Sequence, residues 1–459
     1  MAINLNTPRD SFSSRLGVIA AAAGSAIGLG NIWRFPYVAG ENGGGAFLLI
    51  YIGFIVLIGV PVMLSEFVIG RNTQRNAVGA FRKLAPKSLW PLTGFLGISA
   101  AFFILAFYTT VSGWTLEYLY LAISDGFKAQ SAESLTQNFE LFRTSGLRPL
   151  MWQNIFMFLT AFIVYKGIKN GIEKYTKILM PLLLVIIIIL GIRSVTLPGA
   201  AEGLTFLFKP DFTKITGKVI LEALGQSFFS LSIGMGTLIT YGSYIGKGEN
   251  LGKTALSVSA ADTVIAILAG VAIFPAVFAF GIAPEAGAGL VFITLPMIFD
   301  QMAGGYFFAL IFFLLLSIAA LTSTISVLEV VTAYLSEELN LGRKKATVIA
   351  ASSIAVLGVA CTMSQGPWAI LSVGGYNLFD LLEMVSANIM LPLGGLLIVL
   401  FVGWYLTKDA VFAEISNQGK FKAGFKFAYL FIIRFLAPIA IAFVFLNGLG
   451  FFSIFGSGN

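Results

Sequence analysis

Histidine is absent from this chain, which removes imidazole metal ligation and imidazole acid–base chemistry. The single cysteine, Cys361, sits in an apolar run, so no intrachain disulfide is possible and the redox compartment is not legible. Charge is scarce too. Only 11% of the 459 residues are Asp, Glu, Lys or Arg, against about 25% in an ordinary soluble domain. No HExxH, no GxSxG with a partner histidine and no Walker motif occurs, which leaves a membrane enzyme without a reaction centre. The net charge of +7 lies in short segments between apolar runs, so no nucleic-acid partner is expected. The first apolar run is long and leads directly into a second, unlike a cleavable signal peptide.

What the chain has in abundance is apolar surface. Hydrophobic residues make up 57% of it, with 43 Phe and 50 Gly. Such a chain needs the bilayer as its solvent, and glycine lets membrane helices approach closely. Apolar runs predict about eleven spans, near 15–40, 44–70, 90–123, 150–167, 176–196, 219–245, 254–282, 304–336, 345–364, 378–406 and 427–455. The runs do not alternate in polarity as barrel strands do, so the fold class is all-α, a polytopic membrane protein with a single transmembrane domain over 1–459. Loop charge orients it. With the N-terminus cytoplasmic, the inner segments collect Arg9, Arg15, Arg71, Arg75, Arg82, Lys83, Lys87, Lys166, Lys169, Lys174, Lys177, Lys247, Lys253, Arg343, Lys344, Lys345, Lys408, Lys420, Lys422 and Lys426. The outer segments hold far fewer cations, and the C-terminus then lies outside.

Two spans look unlike the rest. The first contains Gly24, Gly28 and Gly30 beside Asn31, and the sixth contains Gln226, Ser230, Ser232, Gly234 and Gly236. Glycine costs a helix about 1 kcal/mol relative to Ala, and unwound backbone at mid-membrane depth survives only beside a polar cavity or inside protein. The breaks are five spans apart. An odd number of spans per half inverts the second half, with repeats at 15–196 and 219–406 and an extra helix at 427–455. Paired broken helices point to a binding site at the repeat interface. Freed carbonyls suit a small cation such as Na⁺, and freed N–H groups at a half-helix start suit a carboxylate. A channel would instead want a continuous polar file.

Arg15-Leu16-Gly17, the run GSAIGLGNIWRFP at 24–36, Glu41-Asn42-Gly43-Gly44-Gly45-Ala46-Phe47, the run 226–236 and Leu321-Thr322-Ser323 resemble the neurotransmitter:sodium symporter family, most closely its eleven-helix bacterial carriers of hydrophobic amino acids. The resemblance implies the leucine-transporter fold, sodium-coupled symport by alternating access, residence in the cell's inner (plasma) membrane and no obligate protein partner. It implies one sodium site from Gly24, Ile27, Ala319, Thr322 and Ser323. A second would use Ala26, Asn31, Ser230 and position 262, where the family's usual Asn is replaced by Asp262. Animal members bind chloride nearby, with Tyr51, Gln226 and Ser230 in matching places. A fixed carboxylate at Asp262 would supply that charge, so no chloride is expected; a salt bridge at a helix end is the other reading of Asp262.

Gly28 stands where monoamine carriers of the family have an aspartate, so the ligand should bring its own carboxylate. By the resemblance, that group would meet the Leu29 and Gly30 N–H groups and the Tyr108 hydroxyl. The amine would meet Ala26, Phe229, Ser230 and Ser232. The side chain would lie among Ile104, Tyr108, Phe229, Met235, Ser323 and Val327, which suits hydrophobic and aromatic L-amino acids. The outer gate would pair Arg34 with Glu383, Asp380 being the rival acid. The inner gate would pair Arg9 with Glu337, supported by Phe12 and Tyr244. A positive-inside anchor is the plainer role for Arg9.

Overall fold

The computed structural model describes residues 10–282, 287–370, 372 and 374–451. Among these, nine helices are long and apolar enough to cross a bilayer. In chain order they are spans 2 (Gly45–Thr73), 3 (Pro91–Ile123), 4 (Leu147–Tyr165), 5 (Ile168–Val195), 7 (Leu251–Ala279), 8 (Gly305–Glu338), 9 (Arg343–Ser364), 10 (Leu378–Tyr405) and 11 (Lys426–Gly448). Span 1 is the bent pair Arg15–Ala26 and Gly30–Glu41, whose halves diverge by 52°. Span 6 is Gly217–Ser230 followed by the short Thr237–Gly242. The predicted spans and the observed ones agree within a few residues for most of the chain. Span 5 starts earlier than its apolar run, because a π-helical turn, Ile168–Glu173, carries charged residues into its first turn.

Both predicted interruptions are present. In span 1 the helix ends at Ile27, whose backbone is extended (φ −76°, ψ 102°). In span 6 the chain between the half-helices takes left-handed backbone at Ser232, Gly234 and Gly236 (φ 54°, 89° and 74°). Glycine enters that region at little steric cost, whereas Ser232 is held there by its Oγ, which donates to the Ser25 carbonyl at 3.0 Å. Glu66 of span 2 supports the second break: its Oε1 accepts from Gly234 N at 2.8 Å.

Span 8 is the mast of the assembly and packs along spans 1, 3, 4, 5 and 9. Span 2 lies against the second half of span 6 almost backbone to backbone. A Cβ built on Gly70 would collide with the Ile239 carbonyl oxygen and come within 2.8 Å of Ser243 N. Small residues give membrane helices this close approach, where burying apolar surface supplies no drive. Gly70→Val should therefore lower thermal stability in detergent by an overpacking cost of about 1–3 kcal/mol or more. An unchanged melting temperature would contradict this packing.

Candidate functional site

The break in span 1 releases backbone groups that an intact helix would consume. Gly28 N, which would otherwise bond the Gly24 carbonyl, donates instead to Asn31 Oδ1 at 3.2 Å. Leu29 N, which would bond the Ser25 carbonyl, donates to the Tyr108 hydroxyl at 3.0 Å. The released carbonyls face span 8. There Ser323 Oγ lies 3.5 Å from Gly24 O and 3.3 Å from Ile27 O. Thr322 Oγ1 lies 3.4 Å from Ile27 O and 3.0 Å from Ala319 O. Three carbonyls and two hydroxyls thus converge from two spans, with the donor set of a small hard cation.

A second polar cluster lies on the other side of the break. Asp262, near the middle of span 7, is fully buried. Its carboxylate accepts from Asn31 Nδ2 at 2.8 Å, from Ser230 Oγ at 2.9 and 2.8 Å, and from the Tyr51 hydroxyl at 3.3 Å. In each of these bonds the carboxyl is the acceptor. Among the described residues no Lys or Arg forms an ion pair with it. The carboxylate therefore stands in mid-span with polar neighbours and no protein cation, which does not favour the helix-end salt bridge.

Between these clusters is a small cavity of about 40 Å³. Its lining joins Ala26, Gly28 and Gly30 of span 1, Ile104 and Tyr108 of span 3, Phe229, Ser232 and Met235 of span 6, and Ser323 and Val327 of span 8. The buried Leu29 and Ser230 lie just behind it, holding Tyr108 and Asp262. Gly28 cannot carry a side chain without filling the cavity: a Cβ there would collide with Ser323 Oγ and stand 2.9 Å from the Tyr108 hydroxyl.

Each described residue expected at a gate has defined neighbours. Arg34 donates to Gln226 Oε1 at 3.1 Å, and its guanidinium lies 4.7 Å from the Phe229 ring centre. Gln226 in turn donates to the Gly30 carbonyl at 2.9 Å. No Arg34 ion pair with Glu383 or Asp380 is formed; both acids are exposed, and Asp380 bonds Asn377 at the start of span 10. On the opposite side Phe12 packs edge-on to Tyr241 and Tyr244, with ring centres 5.8 and 6.0 Å away. Glu337 accepts from Asn76 N and Nδ2 at 2.9 and 3.0 Å. Arg9 lies outside the described residues.

Some neighbours of the site carried no sequence signal. Ser25 and Leu105 line the cavity; each sits one residue from an expected position, and spacing alone does not show which way a side chain at a break turns. Tyr244 donates to Glu329 at 2.6 Å, and Arg343 binds the same carboxylate at 2.9 and 2.6 Å. Of this trio Glu329 and Tyr244 are buried and Tyr244 packs on Phe12, and finding it required knowing that span 9 returns alongside span 8.

The sequence matches the Sodium:neurotransmitter symporter family over residues 9–138 and 143–455. It is 39% identical over 442 residues to YhdH, a sodium-dependent transporter of Bacillus subtilis, covering 96% of this chain and 98% of that one. It is 40% identical over 455 residues to a sodium-dependent transporter of Haemophilus influenzae, covering 97% and 99%. Among solved structures, MhsT in complex with L-phenylalanine superposes with a TM-score of 0.89 at 47% identity, covering 96% of this chain and 100% of that chain.

The convergence of span 1 carbonyls on Thr322 gives a direct test. Sodium should raise the melting temperature of the wild-type protein, since a ligand bound only by the folded state stabilises it. Thr322→Val removes one oxygen and should shift the sodium concentration needed by about tenfold or more, the weight of one ligand at about 1.4 kcal/mol. An identical sodium titration in the variant would remove Thr322 from the site.

Proposed function

This chain belongs to the sodium:neurotransmitter symporter family, and from that premise we propose that it imports hydrophobic and aromatic L-amino acids with two sodium ions, without chloride. The observation that carries the reading is the cavity bounded by both broken spans, with an oxygen cluster on either side. One sodium is assigned to Gly24, Ile27, Ala319, Thr322 and Ser323, and the other to Ala26, Asn31, Ser230 and Asp262.

The chemistry of each part supports this assignment. A zwitterion would place its carboxylate at the Leu29 and Gly30 N–H groups and the Tyr108 hydroxyl, where the second half of span 1 begins and its dipole is positive. Its ammonium would face the carbonyls of Ala26, Phe229 and Ser230 and the Ser232 hydroxyl. The walls beyond are apolar apart from serine hydroxyls, so a charged side chain would lose its hydration without compensation. Met235 lies between two glycines in left-handed conformation, a wall able to yield to a large side chain. The L-phenylalanine bound by MhsT agrees with such a pocket. Asp262 occupies the cradle of Tyr51, Ser230 and Asn31 and brings a fixed negative charge that would make a bound anion unnecessary.

Alternating access follows from the two sides of the cavity. The outer side would close when Arg34 leaves Gln226 for Glu383, drawing Phe229 and Tyr108 over the ligand. The inner side would open when Phe12 withdraws from Tyr241 and Tyr244 and Glu337 exchanges partners. Transport runs inward across the cell's plasma membrane with the N-terminus cytoplasmic and the C-terminus outside. A membrane potential of 100 mV contributes about 2.3 kcal/mol per charge moved, enough to concentrate a neutral zwitterion.

Purified protein in liposomes should accumulate labelled leucine or tryptophan only under an inward sodium gradient. Replacing chloride by gluconate should leave the rate within about twofold, and lysine or aspartate should compete at least about tenfold less well than tryptophan. Sodium-independent uptake would refute the coupling, abolition in gluconate would refute the role given to Asp262, and strong competition by lysine or aspartate would refute the substrate class.

A further inference from the structure

Ser25 lies in the last turn of the first half-helix of span 1, one residue before Ala26 and the break. The residue is 2% exposed, and its hydroxyl oxygen is buried with no hydrogen-bond partner among the described residues. Its own carbonyl is well supplied. Ser232 Oγ donates to it at 3.0 Å, and Ser323 Oγ lies 3.3 Å away. These two hydroxyls are thereby directed to the backbone, while the hydroxyl of Ser25, a residue of the cavity lining, has no partner among the described residues. Its neighbours in the lining, Ile104, Leu105, Met235 and Val327, cannot serve it. A buried hydroxyl without a partner is destabilising in the empty protein, and such groups need an explanation.

We infer that Ser25 is a specificity-determining residue: its hydroxyl accepts a hydrogen bond from the side chain of the transported amino acid and so favours an aromatic side chain bearing an N–H donor, the indole, over an all-carbon ring. This rests on the proposed amino-acid site and deepens it. The hydroxyl both accepts and donates, so an indole N–H satisfies it, whereas a phenyl ring leaves it unpaired. Sites built to hydrogen-bond a ligand group discriminate against the analogue lacking it, because the protein group is then buried unsatisfied. The other hydroxyls of the lining, on Tyr108, Ser232 and Ser323, already have partners, so the discrimination comes from Ser25.

The test compares L-tryptophan with 3-(3-benzothienyl)-L-alanine, which replaces the indole N–H by sulfur with little change of shape. Binding in the presence of sodium is measured for the wild type and for Ser25→Ala. The wild type should prefer tryptophan by about tenfold, and S25A should reduce that preference to within about twofold. The ligand-free S25A protein should melt no lower than the wild type, because the removed hydroxyl makes no bond. A preference that survives in S25A, equal binding of both ligands by the wild type, or a marked loss of thermal stability in S25A would each overturn the assignment. Failure of the wild type to bind either aromatic amino acid would instead overturn the substrate class on which the assignment depends.

Discussion

The carboxylate of Asp262 sets the terms for the rest of the molecule. It lies in mid-span, fully buried, and takes hydrogen bonds from Asn31, Ser230 and Tyr51 while no protein cation pairs with it. Hydrogen bonds spread its charge but do not neutralise it, and an uncompensated ion in a low-dielectric interior costs several kcal/mol. Intramembrane acids accordingly mark ion pathways. The donors that surround Asp262 come from spans 1, 2 and 6, so whatever cation completes the charge also fixes how those spans meet. Under the proposed function that cation is sodium, its binding closes the site, and a zwitterion whose carboxylate shares the ion strengthens it reciprocally.

The two broken spans provide what continuous helices withhold. Helical backbone satisfies its own carbonyls and offers nothing to a ligand. Here the N–H groups of Gly28 and Leu29 are diverted to Asn31 and Tyr108, and the carbonyls they abandon face span 8 and the cavity. Span 6 contributes through left-handed backbone at Ser232, Gly234 and Gly236, braced by Glu66. Each break is thus anchored by a polar side chain from an unbroken span. The interruptions are held in place by these contacts.

Much of this was legible in the residues. Long apolar runs gave the spans, because membrane helices must be long and uninterrupted by charge. The glycine and serine clusters gave both breaks. The resemblance to known carriers pointed to Thr322, Ser323, Asn31 and Asp262, and in the structure Thr322 and Ser323 lie by the span 1 carbonyls while Asn31 lies by Asp262. The orientation of individual side chains was another matter. Arg34 lies over Phe229 and bonds Gln226, and a sequence cannot choose that rotamer over one reaching Glu383. The Glu329–Arg343–Tyr244 trio depends on three elements meeting at the inner end of the bundle. Ser25 reads in sequence as one more small residue beside a break, and only the fold shows its hydroxyl buried without a partner among the described residues.

The account stands most directly on the ion that answers Asp262. Equilibrium binding of radioactive sodium to the purified protein, in chloride-free buffer with a saturating amino acid, measures it. The account predicts two sodium ions per wild-type chain, and for Asp262→Asn the loss of one of them, or a weakening of about tenfold or more that added chloride partly restores. The same two ions, bound with the same affinity by Asp262→Asn in the absence of chloride, would contradict it.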